Sequence, residues 1–259
     1  FSIDSVLHAG KFENAIVNVN GFYLNLAKDQ RLPDPPYVEK PASLEGLLKL
    51  PKNIRLKSIN LKNGSLDLSQ ISSKTGEQGY LDLSEIWAKI DITPDGAKDL
   101  KLNLVGGAKL YKQGEIALTY KTIDTHMFSL SASVSNFDMT KMNAIITPLN
   151  AIEIKSGYLE NYHFNITANN YRALGKANIT YDDLHMIIYK KSEPEKKNLG
   201  SEILTLLADD FVIKNSKTNA STDIIQLRVK NKTTFDYWVK SAIHGALMAI
   251  REGRHKRKN

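Results

Sequence analysis

Ile54-Arg55-Leu56-Lys57-Ser58-Ile59-Asn60-Leu61-Lys62-Asn63 and Ile152-Glu153-Ile154-Lys155-Ser156-Gly157-Tyr158-Leu159-Glu160-Asn161 align without a gap, about 98 positions apart, and share Ile, Lys, Ser, Leu and Asn at equivalent places. The first stretch is followed by Leu66-Asp67-Leu68 and then by Gly79-Tyr80-Leu81-Asp82-Leu83-Ser84-Glu85-Ile86. The second is followed by Phe164-Asn165-Ile166, Gly175-Lys176-Ala177-Asn178-Ile179 and Tyr181-Asp182-Asp183-Leu184. A repeated unit of this kind belongs to architectures grown by addition, which present long surfaces more often than single pockets.

Working outward, the same period of two recurs at Val17 and Val19, Leu102 and Leu104, Ile116, Leu118 and Tyr120, and Phe128, Leu130, Ala132 and Val134. Such alternation reads as strands with one apolar and one polar face, the pattern of antiparallel sheet wetted on one side. Pro94-Asp95-Gly96, Gly106-Gly107 and Gln113-Gly114 punctuate the runs as turn signals. Asn63-Gly64 reads as a bulge or bend, because its counterpart Asn161-Tyr162 suits a two-residue hairpin poorly. The expected fold is mainly β: an extended, curved antiparallel sheet, either an open groove or an incomplete barrel, with short helices and a C-terminal amphipathic helix.

Three segments depart from strand. Residues 31–42, with Pro33, Pro35, Pro36 and Pro41, form an extended loop that interrupts a sheet edge and leads to a helical turn around Leu44, Leu47 and Leu48. Residues 191–198 form a charged connector, followed by Leu199, Ile203, Leu206 and Leu207 at helical spacing with Ser201 as a cap. From Thr233 to about Ile250, one helical face collects Phe235, Trp238, Val239, Ala242, Ile243, Ala246, Leu247 and Ile250. The expected division is a repetitive β-groove over 1–190, a connector helix and closing strand over 191–232, and the amphipathic helix with a basic tail over 233–259.

At 259 residues and 42% hydrophobic content, the chain can bury a core. It contains no Cys, which excludes disulfides, thiolate metal sites and a cysteine nucleophile. It contains no run of about 18 apolar residues. It opens on Phe1-Ser2-Ile3-Asp4-Ser5-Val6, without Met and already alternating, so an upstream segment bearing any signal or anchor is expected. The net charge of +7 is concentrated at the end, where Arg251, Arg254, Lys256, Arg257 and Lys258 face only Glu252. These cations lack interleaved aromatics, so nucleic acid is not an expected partner.

The stretches Phe137-Asp138-Met139 to Leu149-Asn150, Ile152 to Leu159, Arg172-Ala173-Leu174-Gly175 and Tyr181-Asp182-Asp183-Leu184 resemble the C-terminal portion of AsmA-like envelope proteins. Leu204 to Ile213 and Phe235 to Gly245 are similar to the Bacteroidota versions. The resemblance implies a large Gram-negative protein held in the inner membrane by an N-terminal segment absent from this sequence. It also implies a periplasmic β-groove conducting phospholipid toward the outer membrane, as in relatives of TamB and of bridge-like lipid-transfer proteins.

Alternation nominates the groove floor: Leu66, Leu68, Leu81, Leu83, Leu102, Leu104, Ile116, Leu118, Phe128, Leu130, Phe164, Ile166, Ile179 and Met186. The same positions would equally close a sandwich core, and alternation alone does not separate the two. Phe235, Trp238, Val239, Ile243, Leu247 and Ile250 nominate the last helix either as an interfacial helix, with Trp238 and Phe235 in a bilayer, or as an end cap protecting an edge strand. No catalytic motif is present, and His8, His126, His163, His185, His244 and His255 have no ligand spacing, so neither enzyme activity nor a cofactor or metal is expected. Asp182-Asp183 and Asp209-Asp210 read as turn or cap residues. The expected function is non-enzymatic holding or passage of acyl chains in the cell envelope, with phospholipid as partner and a membrane surface as a possible second. The alternative is an assembly module that binds an outer-membrane or other envelope protein through an edge strand.

Overall fold

The computed structural model describes residues 12–33, 35–48, 54–95, 99–150, 152–188, 212–215 and 217–255. The expected helix at Leu199 to Leu207, Asp209-Asp210, the opening residues Phe1 to Val6 and the last residues of the basic tail lie outside them.

Eleven strands form one mostly antiparallel, curved sheet that does not close into a barrel. Its body is β3 (Ile54–Ile71), β4 (Gln78–Asp95), β5 (Asp99–Leu110), β6 (Gly114–Thr122), β7 (Phe128–Asp138), β8 (Ile152–Ala168) and β9 (Arg172–Ile188), each antiparallel to the next. β1 (Phe12–Asn20) and β2 (Tyr23–Asp29) lie end to end along the free side of β3, parallel to it. β10 (Val212–Asn215) and β11 (Thr218–Leu227) lie end to end along the far side of β9, antiparallel to it.

The two copies of the repeat are the first strands of the long hairpins β3–β4 and β8–β9. Asn63-Gly64 is a bulge inside β3, since the register with β4 slips between Leu61 and Gly64 and the Asn63 φ is 53°. The β8–β9 register slips at the corresponding place, between Leu159 and Asn161. An extra residue on one strand bends it and adds twist, which is how strands this long curl instead of lying flat. Asp182-Asp183 is therefore not a turn. It is a bulge within β9, where Asp183 has a φ of 47° and donates its N–H to the Asp182 carboxylate at 2.9 Å.

The C-terminal helix, α2, spans Thr234–His255, and the turn after the proline-rich loop is a single 3₁₀ turn at Glu45–Leu47. One helix lies where the periodicity points to none. After a 3₁₀ turn at Met139–Met142, α1 (Asn143–Asn150) crosses from β7 to β8. Asn143 fastens it by donating Nδ2–H to the Ile154 carbonyl at 2.7 Å and accepting the Ile154 N–H at 2.8 Å. Its far end meets the β3–β4 turn, where the Thr75 hydroxyl donates to the Pro148 carbonyl at 2.8 Å. α1 thus bridges the two repeat hairpins at one end of the sheet.

The loop over 35–48 acts as a strap at the other end. Lys40 N–H donates to the Lys230 carbonyl at 2.9 Å, and the Thr234 hydroxyl donates to the Pro41 carbonyl at 3.0 Å. The Arg228 guanidinium donates to the Lys40 carbonyl and to Asn170 Oδ1, and Asn170 in turn donates to Glu39. Leu44 and Leu48 pack onto the core from above.

Candidate functional site

Sheet register fixes which side chains share a face. Ile59, Ile90, Leu104, Tyr120, Leu130 and Ile166 are successive partners across β3 to β8, and Leu118, Ala132, Phe164 and Ala177 form the neighbouring row. With the bulges counted, all fourteen nominated floor residues, Leu66 through Met186, lie on this one inner face. The face continues onto the edge, where Leu24 pairs with Leu66 and Leu26 with Leu68.

Burial divides this face in two. Leu102, Phe128, Leu130, Phe164, Ile166, Ile179 and Met186 are buried, whereas Leu66, Leu68, Leu81, Leu83, Leu104, Ile116 and Leu118 are half-buried. The cover is α2, which lies across β11, β9 and β8, joined by the strap's turn at Glu45–Leu47, which lies on β5 over Leu102. Gly245 lets it come close, because a Cβ there would stand 2.8 Å from Ala177 and Ile224 and 2.9 Å from the Tyr162 hydroxyl. Trp238 reaches furthest along the face, with its ring centroid 5.5 Å from Tyr120 and 6.4 Å from Phe128. Beyond Trp238, toward β3, the face is only partly covered among the described residues. At the edge Leu24 and Leu26 are 47% and 49% exposed.

α2 is therefore packed on the sheet, and the interfacial reading of Trp238 does not hold: it is 6% exposed, inside the fold. Ile250 is also buried, and Ile243 and Leu247 are half-buried against the core. Only Phe235 and Val239 of the nominated six face outward.

A polar knot marks where strap, α2 and sheet meet over β6. The Tyr120 hydroxyl donates to Glu45 Oε2 at 2.7 Å, the Thr122 hydroxyl donates to the same carboxylate, and the Leu44 N–H donates to the Tyr120 oxygen at 3.3 Å. Burial and the adjacent Glu45 push the Tyr120 phenol above its ordinary value. Burial does the same to Tyr162, whose hydroxyl donates to the Ala242 carbonyl of α2, and to Tyr237. Tyr120 is missing from the nominated floor although it ends the alternation Ile116, Leu118, Tyr120, and Ala132, Val134 and Ala177 are missing too. The signal was the same period of two, in which Tyr120, Ala132 and Val134 already stand beside the nominated residues.

The opposite, outer face is mixed: mostly polar, with Tyr80, Trp87, Val105, Tyr158 and Leu174 exposed on it. A shallow groove of about 530 Å³ there is lined by residues including Asn103, Thr119, Ser129, Ser131, Asn165 and Thr167. Close by, Ser131 Oγ lies 3.0 Å from His163 Nε2. Among the described residues no three His, Cys, Asp or Glu converge to hold a metal, and no helix is long and apolar enough to cross a membrane.

No family model matches the chain, and no curated protein or solved structure matches it either.

Proposed function

We propose that the inner face holds phospholipid acyl chains without chemistry, as an envelope protein of AsmA-like type would. The observation that carries this reading is the half-covered apolar floor from Leu24 and Leu26 through Leu66, Leu68, Leu81, Leu83 and Leu104 to the Tyr120–Trp238 contact. Strands stand about 4.8 Å apart, so crossing from β2 to β6 covers roughly 19 Å. A leaflet's hydrocarbon is roughly 15 Å deep, so one chain fits the half that the described residues leave partly covered. Each CH₂ taken from water contributes about 0.8 kcal/mol, which a continuous floor supplies without specific contacts. In this reading α2 and Trp238 end the hydrocarbon path, and the phospholipid enters from the β1/β2 side in the periplasm.

The test is photo-cross-linking in cells from probes at Leu68, Leu83 and Leu104, with Asp67 and Asp82 as outward controls, followed by mass analysis of the adducts. Lipid adducts confined to the inner positions support the reading, and none at any of them refutes it. A second reading is favoured by one observation: among the described residues β1 and β2 pair only with β3, so the parallel edge offers its other side for strand addition. Protein adducts from Ile16 or Leu24, with no lipid from the floor, would select that assembly role.

A further inference from the structure

On β11 the outward positions Asn219, Ser221 and Asp223 are polar, as a wetted face requires, and the last two, Ile225 and Leu227, are not. These two are 63% and 70% exposed. Ile225 pairs with Leu174, which also faces out, and Leu227 pairs with Arg172.

The neighbours extend the change of character. Tyr171, in the β8–β9 turn, is 68% exposed and accepts the Arg228 N–H on its carbonyl. On the strap, Tyr37 and Val38 are 67% and 62% exposed, next to Glu39, which accepts a hydrogen bond from Asn170 of the β8–β9 turn. Isolated apolar side chains are exposed elsewhere on the outer face, but here five of them, Tyr37, Val38, Tyr171, Ile225 and Leu227, gather at one end of the molecule, and such a cluster marks a contact surface.

Charge says which kind. Lys40 and Arg172 are exposed at this end and Lys230 and Lys232 are half-exposed, while Arg228 is buried beneath them; the Lys230 ammonium stands 4.9 Å over the Tyr171 ring and shares Glu39. The nearby carboxylates are paired: Glu39 with Lys230 at 3.6 Å and Asp236 with Lys240 at 3.7 Å. Exposed Tyr, Leu and Ile ringed by Lys and Arg match an anionic bilayer, whose headgroups attract the cations while the apolar tips enter the interface.

We infer that the strap end of the sheet, led by Ile225, Leu227 and Tyr171, docks on an anionic lipid surface. This surface is distinct from the inner face and does not depend on that face holding lipid. It also differs from the helix-led docking that the sequence suggests, since Trp238 takes no part.

The test is co-sedimentation of the full chain with phosphatidylcholine vesicles, without and with phosphatidylglycerol. The chain is expected to pellet with the anionic vesicles and to be released by salt. Ile225→Thr with Leu227→Thr keeps every charge and the strand propensity, and should lower the partition coefficient by about tenfold or more. Tyr171→Ser, in a turn, provides a second variant that does not touch the strand. Val105→Thr, at an exposed apolar position in the middle of the outer face and away from both the strap end and the floor, should leave partitioning unchanged. Failure to pellet, equal pelleting with neutral vesicles, or full binding by both strap-end variants would overturn the inference. So would loss, in the Ile225/Leu227 variant, of a concentration-dependent dimer of the parent chain, which would make this end a contact between copies.

Discussion

Glu85 and Asp183 stand about 98 positions apart in equivalent bulges of β4 and β9, and both hold a left-handed backbone, with φ of 50° and 47°. Such a backbone costs a residue with a Cβ about 1–2 kcal/mol. Its recurrence shows that the repeat seen in residue letters is also a repeat of backbone geometry.

A β-branched residue tolerates this conformation least. Glu85→Val or Asp183→Val should therefore lower stability by about 1–2 kcal/mol, whereas glycine at either position should be neutral or stabilising. The Glu85–Lys109 ion pair at 3.0 Å is exposed on both sides and contributes little to the comparison. Urea unfolding of the four variants checks the ordering.

Replacing a helical glycine with alanine usually stabilises by about 1 kcal/mol. At Gly245 the sign should reverse, because the new Cβ would press on Ala177, Ile224 and the Tyr162 hydroxyl together. Gly245→Ala should cost about 1–3 kcal/mol and loosen α2 from the sheet. Thermal unfolding measures the first effect, and faster exchange of the Ala242 to Ala249 amides measures the second.

The Glu39 carboxylate is held below the usual range, first by the Asn170 hydrogen bond and then by the charge of Lys230. A depressed carboxylate stabilises above its unfolded pKa, and that stabilisation is lost as pH falls through the lower folded value. The strap should therefore loosen below about pH 4, and Glu39→Gln should remove that pH dependence. Amide exchange at Lys40, corrected for intrinsic rates, reports it.

Burial raises the phenols of Tyr111, to about 12, and of Tyr120, Tyr162 and Tyr237. A group with a raised folded pKa stabilises below its unfolded value, near 10, and loses that contribution as pH climbs toward the folded one. The fold should weaken steeply above about pH 10. In an ultraviolet titration, Tyr120→Phe should remove one late-ionising phenol.

The strands and their inward residues were legible because alternation is a local property. Ile116, Leu118, Phe164 and Ile166 read the same way in the sequence as in the sheet. α1 was not legible: Ala144-Ile145-Ile146-Thr147-Pro148 is short, β-branched and interrupted by proline, and it is helical because Asn143 and Thr147 bond the start of β8. The placement of α2 over half of the face, with Trp238 turned inward, depends on Gly245, Ala177 and Tyr162 meeting across about 80 positions. The outward patch at Ile225 and Leu227 continues a period of two and looks like ordinary strand until the register says which side it faces.

The strap's partner in the Arg228–Lys40 bond is 188 positions further along the chain. On a ribosome that interval takes roughly 10–40 seconds to synthesise, during which the strap can close on β6 through Glu45 but its Lys40 end has no partner yet. The strap is thus made early and fastened at its Lys40 end late, and a chain truncated before Arg228 should leave the ribosome with that end of the strap untied.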